Sequence, residues 1–343
     1  MIKNRFEFCL RGQVIFLFFI GYFFAIIVAL RPIGADRDSL SYLSLFDAIS
    51  GGVINAGEVA FTTDIGFLLI AKLSIFFGTG FRGLLLMYSL LAFTLKICVI
   101  CKQALYPYLS FYIYITAFVL LHEATQIRVA VSIGFFLLSL PYLFKKKYFM
   151  YVLTIVPAIL FHYSAFFLLL LPLVERLKIK RVFYFLFPVI LLFLVEVGWS
   201  LFMLFRMIVP VLPSFLSSKI NIYLTLLANS NNTGANIYSF AHIVMFLLYY
   251  FLLYVNKYLA SDYDRFLVRI SFYGICSFYL FNFLPVFAVR ISGYLSTVLI
   301  VLLPNSVYAI KEKHMMVLGM FFTFTLGFVY YFFTLMNPLN FSI

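Results

Sequence analysis

The chain has 343 residues, of which 65% are hydrophobic and only 11% charged, and its net charge is +13. Soluble domains are nearer half apolar and a quarter charged, so a mean hydropathy of +1.09 excludes a soluble fold. Repeated apolar runs of about 18 residues or more mark an all-α polytopic integral membrane protein. The basic residues sit in short clusters between apolar runs, as in loops beside anionic headgroups, and form no continuous face for nucleic acid.

In chain order, Lys3, Arg5 and Arg11 precede a first apolar stretch, Gln13 to Leu30. No small-x-small cleavage site comes just before "RPIGAD", so an uncleaved first helix is expected, with its basic start in the cytoplasm. Further apolar stretches run from Phe61 to Phe77, Gly83 to Cys101, Ala104 to Leu121, Val129 to Phe144, Tyr148 to Val174 and Val182 to Phe205. Four more follow, Tyr238 to Val255, Phe266 to Ala288, Ile291 to Ile310 and Met315 to Leu335. The expectation is about ten or eleven transmembrane or re-entrant helices. They form one domain, residues 1–343, with extracytoplasmic loops at about 31–60 and 206–237. Cys9, Cys98, Cys101 and Cys276 lie in or beside apolar segments. The C-x-x-C at Cys98 and Cys101 has no second pair and no adjacent His, which fits buried, inert thiols.

Charge tests the topology. "FKKKY" (Lys145, Lys146, Lys147) and "VERLKIKR" (Arg176, Lys178, Lys180, Arg181) flank the stretch Tyr148 to Val174. One long span would put one basic cluster outside, against the positive-inside rule. A break near Pro157 to Ser164 into two short helices leaves both clusters cytoplasmic and "FHYS" at the turn. The stretch 61–78 carries Asp64 and Lys72 and is the other re-entrant or interfacial candidate.

With that topology, the residues least suited to lipid collect on the outer side. They are Arg31, Asp36 and Asp38, then His122, Glu123 and Arg128, then His162, and finally Arg290. Ionisable groups at membrane depth are costly and usually face a cavity or a partner. Bland readings stand beside each one. Arg31 can be a snorkelling anchor, Arg128 and Glu123 a structural ion pair, His162 a core histidine at a helix break, and Arg290 a helix-end cap.

Four short motifs recur in order: Arg31, Gly34, Asp36 and Tyr42; Ile127, Arg128, Ser132, Gly134 and Phe136; Phe161, His162, Ser164 and Ala165 with Pro172 after them; and Arg290 with Tyr294. As a set they resemble the EpsG/Wzy-like polysaccharide polymerases of bacterial envelopes. Val129 stands where that family usually has Gln, and its acidic-Gly-aromatic element survives only as Asp64, Ile65, Gly66 and Phe67.

The resemblance implies a GT-C-like glycosyltransferase of the bacterial cytoplasmic membrane, joining polyprenyl-diphosphate-linked oligosaccharide repeats at its outer face. It implies no cofactor, with a flippase and a chain-length regulator as further partners. Arginines match a diphosphate leaving group with a bidentate fork, which makes Arg31, Arg128 and Arg290 candidates for binding, with Asp36, His122 and Tyr294 beside them. An attacking hydroxyl must lose a proton; His162 is the first candidate base and Glu123 the second. Asp36-Arg37-Asp38 could hold a metal, but lies on the side where sugar nucleotides are scarce, so metal-independent chemistry is expected. The competing classes are a lipid-linked-sugar flippase, an O-antigen-ligase-like transferase or acyltransferase, and a non-catalytic envelope subunit. Related halves, the usual transporter signature, are absent from the sequence.

Overall fold

The structure, a computed structural model, describes residues 11–36, 38–52, 64–177, 180–198 and 234–335, with isolated positions between 207 and 225. Every regular element among the described residues is helical. In order they are α1 (Arg11–Leu30), α2 (Ser39–Ser50), α3 (Ile65–Phe76), α4 (Gly80–Gln103) and α5 (Pro107–Ile113), which runs on into a π-helical turn, Tyr114–Phe118. There follow α6 (Ile127–Phe144), α7 (Tyr148–Phe161), a 3-10 stretch Tyr163–Leu170, α8 (Leu171–Glu175) and α9 (Arg181–Glu196). The remaining α-helices are α10 (Phe240–Val255), α11 (Asp262–Leu280), α12 (Pro285–Ser296), α13 (Leu299–Ser306) and α14 (Lys313–Leu335), with short 3-10 turns at Val209–Val211, Asn256–Tyr258 and Val307–Ala309.

This is an all-α, multi-pass membrane protein. Among the described residues five helices are long and apolar enough to cross a bilayer, in α1, α4, α6, α10 and α14, and Pro285–Ser296 with Leu299–Ala309 makes a sixth if counted as one broken span. Other apolar runs are shorter helices, Ile65–Phe76, Tyr148–Phe161 and Tyr163–Glu175. The expected stretch Ala104 to Leu121 is α5 plus the π turn rather than one straight α-helix. Lys3, Arg5, Cys9, Arg37, Lys178 and most of the 206–237 loop lie outside the described residues.

The chain forms two compact units, Met1–Leu169 with Leu299–Ile343, and Leu170–Val298. In the first unit α4 is the mast. Helix α1 runs antiparallel along it: Gly21 lies against Ile97, Tyr22 and Thr94 share a hydrogen bond of 3.1 Å, and Arg82 Nη1 donates to the carbonyls of Ala29 in the last turn of α1, at 3.1 Å, and of Arg31 just past its end, at 2.6 Å. A cation at a helix C-terminus satisfies orphan carbonyls and suits the dipole. Gly78 and Gly80, with φ of +65° and +61°, provide the left-handed backbone that reverses α3 into α4.

Helix α6 packs parallel to α4, and Gln103 Nε2 reaches the Leu137 carbonyl at 3.1 Å. A tight turn with Lys146 at φ 57° then returns the chain as α7, tied back where Ser132 Oγ donates to the Ala158 carbonyl at 2.6 Å.

The stretch Tyr148 to Val174 does break. His162 is extended (φ −158°, ψ 116°), and Tyr151 Oη donates to the Leu168 carbonyl at 2.6 Å. A straight continuation would separate those two residues by about 25 Å at 1.5 Å per residue, so the chain doubles back at His162. This reversal is what the flanking basic clusters predict.

In the second unit α11 is the buried element. Tyr249 and Tyr250 of α10 donate to the Tyr184 and Phe185 carbonyls of α9, each at 2.7 Å. Gly274 lets α11 approach Leu295 of α12, and Arg269 pairs with Glu175.

Candidate functional site

Three helix ends meet in the first unit. Asp64 precedes α3, Arg128 is the second residue of α6, and His162 follows α7. The α6–α7 hairpin sets the start of one helix beside the end of the other, and Gly66 brings α3 against them. A Cβ at Gly66 would stand 2.7 Å from the Phe161 ring, a distance real side chains do not reach.

Asp64 is the hub. Its Oδ2 accepts Arg128 Nη1 at 2.7 Å and faces His162 Nδ1 at 3.3 Å, while its Oδ1 accepts the Tyr163 backbone N–H at 3.1 Å. Asp64 is 2% exposed and His162 7%. The Arg128 guanidinium sits over Tyr42 of α2 at 5.2 Å and over Phe67 at 6.0 Å, the cation–π geometry that arginine favours. Tyr88 of α4 packs edge-on to Phe161 at 5.9 Å, and its buried hydroxyl has no hydrogen-bond partner among the described residues.

The arrangement has a chemical consequence. If Nδ1–H donates to Asp64, the neutral imidazole keeps its lone pair on Nε2, and the carboxylate fixes both ring orientation and tautomer. A carboxylate that also holds a guanidinium brings a base and a cation to one point.

Other candidate residues fall elsewhere. Arg31 and Asp36 make a closed loop between α1 and α2. Arg31 Nη1 caps the Val28 carbonyl at 2.8 Å and Nε meets Asp36 Oδ2 at 3.0 Å. Asp36 Oδ1 accepts the N–H groups of Asp38 at 3.1 Å and Ser39 at 2.9 Å, a capping job for the start of α2. Both Asp36 oxygens are thus committed to the fold, which does not fit a metal ligand. Among the described residues no cluster of three or more potential metal ligands occurs. Arg31 is 9% exposed, and its buried Nη2 meets no partner among the described residues.

Glu123 and Arg128 do not pair with each other. Glu123, 1% exposed, pairs with Lys96 and accepts Tyr114 Oη at 2.9 Å. His122 stacks on Phe118 with centroids 6.1 Å apart and is 3% exposed. Its Nδ1 and Glu123 Oε2 are buried without hydrogen-bond partners among the described residues. In the second unit Arg290 is half-buried and has no hydrogen-bond or ion-pair partner among the described residues, while Tyr294 is buried at 1% exposure.

The mast gives these groups a depth. Arg82, Tyr88 and Lys96 all belong to α4, so at 1.5 Å per residue the backbone of Tyr88 lies about 9 Å along the axis from that of Arg82, and that of Lys96 about 12 Å further.

The sequence model of the EpsG family matches residues 14–343. The chain belongs to the EpsG family. This is a family of Wzy-like polysaccharide polymerases, so the EpsG chain has a polymerase-like role in polysaccharide synthesis. No curated protein and no solved structure matches the chain.

Two residues of this EpsG chain went unremarked in the sequence as parts of a site. Asp64 stood there as a charge in the re-entrant candidate 61–78 and as a remnant of a family element. Lys96 carried a usable signal, a lone ammonium inside an apolar run, which requires a partner at membrane depth.

Proposed function

We propose that the protein is a polyprenyl-diphosphate-sugar-dependent glycosyltransferase of the bacterial cytoplasmic membrane. It joins lipid-linked oligosaccharide repeats at the outer face into O-antigen, capsule or exopolysaccharide. The observation that carries this reading is Asp64 gripping Arg128 and His162 together.

In the proposed step, a hydroxyl oxygen of the acceptor repeat attacks the anomeric carbon of the donor sugar. The bond from that carbon to the diphosphate oxygen breaks, and polyprenyl diphosphate leaves with the electron pair. His162 Nε2 takes the hydroxyl proton and passes it to solvent, while Asp64 stabilises the imidazolium that forms. Arg128 lies against the diphosphate and stabilises its growing negative charge, more strongly because the site is largely closed to water. Arg31, with one buried N–H group unmet, is the further anion contact of the first unit, with His122 as the outer candidate. Asp36 serves Arg31 by orienting it.

Glu123, the alternative base, is enclosed by Lys96 and Tyr114 and fits that role less well than His162. The proposed chemistry uses no resident metal.

The test is made in the native host. Arg128→Ala and His162→Ala should leave protein abundance intact while long glycan ladders collapse to single-repeat products. Single lipid-linked repeats should then accumulate at the outer face. Normal ladders from both variants would exclude the site, and accumulation at the cytoplasmic face would favour a flippase.

A further inference from the structure

We infer that Lys96 and Glu123 are positioning residues which hold Arg128 in its working geometry. The inference rests on the site reading above. Lys96 projects from the middle of α4 and is wholly buried, as is Glu123. Its ammonium makes two hydrogen bonds, one to Glu123 Oε1 and one to the Ala130 carbonyl at 2.8 Å, and lies over the Tyr114 ring at 5.5 Å. Glu123 precedes Arg128 by five residues and Ala130 follows it by two. One ammonium therefore grips the chain on both flanks of Arg128 and fixes that stretch to the helix that also carries Tyr88. Tyr114 Oη, donating to the same Glu123 oxygen at 2.9 Å, keeps the carboxylate from turning away.

The energetics favour a specific purpose. Burying two charges is costly, and apolar residues of similar volume commonly replace such a pair at no loss of stability. Apolar packing cannot hold a carboxylate and a carbonyl at one point, because it has no directionality. Lysine can, with three donors on one nitrogen. The site needs that precision: an arginine aimed at a leaving group loses much of its effect when displaced by about 1 Å. The guanidinium is also held by Asp64 and by the Tyr42 and Phe67 rings, so the bracket fixes its backbone while those groups fix its tip. Lys96 and Glu123 touch no substrate in this scheme and act through Arg128.

The experiment uses the full chain, purified into lipid nanodiscs with a polyprenyl-diphosphate oligosaccharide as substrate. The double variant Lys96→Met/Glu123→Leu removes both charges and leaves neither unpaired. It should recover most of the thermal midpoint that either single change loses and keep the KM for the lipid-linked donor, while kcat falls by at least about 10-fold. A cycle with Arg128→Lys then separates positioning from bulk structure. In the double-variant background Arg128→Lys should cost little beyond the loss already incurred, because both changes damage one function. Wild-type kcat in the double variant, or losses that simply multiply, would overturn the inference. Should the double variant not fold, Glu123→Gln, which keeps shape and one acceptor oxygen, must show the same non-additivity with Arg128→Lys, or the inference falls. Normal turnover in Arg128→Ala and His162→Ala would sink the site reading itself, a separate result read from different variants.

Discussion

Asp64 and Arg128 are 64 residues apart in sequence and 2.7 Å apart in space. The same carboxylate oxygen faces His162 at 3.3 Å, so removing its charge tests the whole constellation. Asp64→Asn keeps the size and an acceptor for the Tyr163 N–H, but no longer neutralises the guanidinium or orients the imidazole. Turnover per folded molecule should fall by about 10²-fold or more, measured as release of polyprenyl diphosphate by purified protein.

Gly66 is where α3 touches the end of α7. A methyl group there meets the Phe161 ring at 2.7 Å and the Phe161 Cα at 3.0 Å, and backbone cannot yield as a side-chain end can. Gly66→Ala should lower stability by about 1–3 kcal/mol and reduce activity further by lifting Asp64 away from His162. A thermal unfolding series beside Gly319→Ala, where nothing lies within 4 Å, gives the comparison; equal midpoints would contradict the packing described.

Lys96→Met alone leaves Glu123 buried and unpaired, and Glu123→Leu alone strands the ammonium. Each single change should cost about 3–5 kcal/mol, visible as a lowered thermal midpoint and low membrane abundance. The double change should recover most of that loss.

The doubling back at His162 depends in part on the Tyr151 hydroxyl, which donates to Leu168 from a fully buried position. Tyr151→Phe removes that hydrogen bond and should cost about 1 kcal/mol. A cysteine introduced at Lys146 should be shielded from an impermeant external reagent. Ready labelling from outside would reverse the topology proposed for the hairpin.

The membrane class was plain in the sequence because apolar runs need no partner to be recognised. The break at His162 was legible too, since basic clusters on both sides of one apolar stretch conflict with a single crossing. Arg128 and His162 stood out as costly charges in apolar surroundings. Their common partner did not. Asp64 sits just before a short helix that hydropathy alone leaves ambiguous, and nothing local shows that Gly66 brings it to Phe161. Glu123 illustrates the same limit. Its closeness in sequence to Arg128 suggested a pair, whereas α6 begins between them and sends Arg128 to Asp64 and Glu123 to Lys96. Asp36 resembled a binding carboxylate but spends both oxygens on its own loop, a local arrangement that the motif does not reveal.

The central claim is that His162, oriented by Asp64, takes the acceptor proton in a glycosyl transfer whose leaving group faces Arg128. Its most direct test is a single-turnover assay in nanodiscs with a lipid-linked repeat as both donor and acceptor, following dimeric product and released polyprenyl diphosphate together. Wild type should form both in equal amounts, and His162→Ala should bind the donor with unchanged affinity yet form neither at a comparable rate. Stoichiometric product from His162→Ala at the wild-type rate would contradict the account.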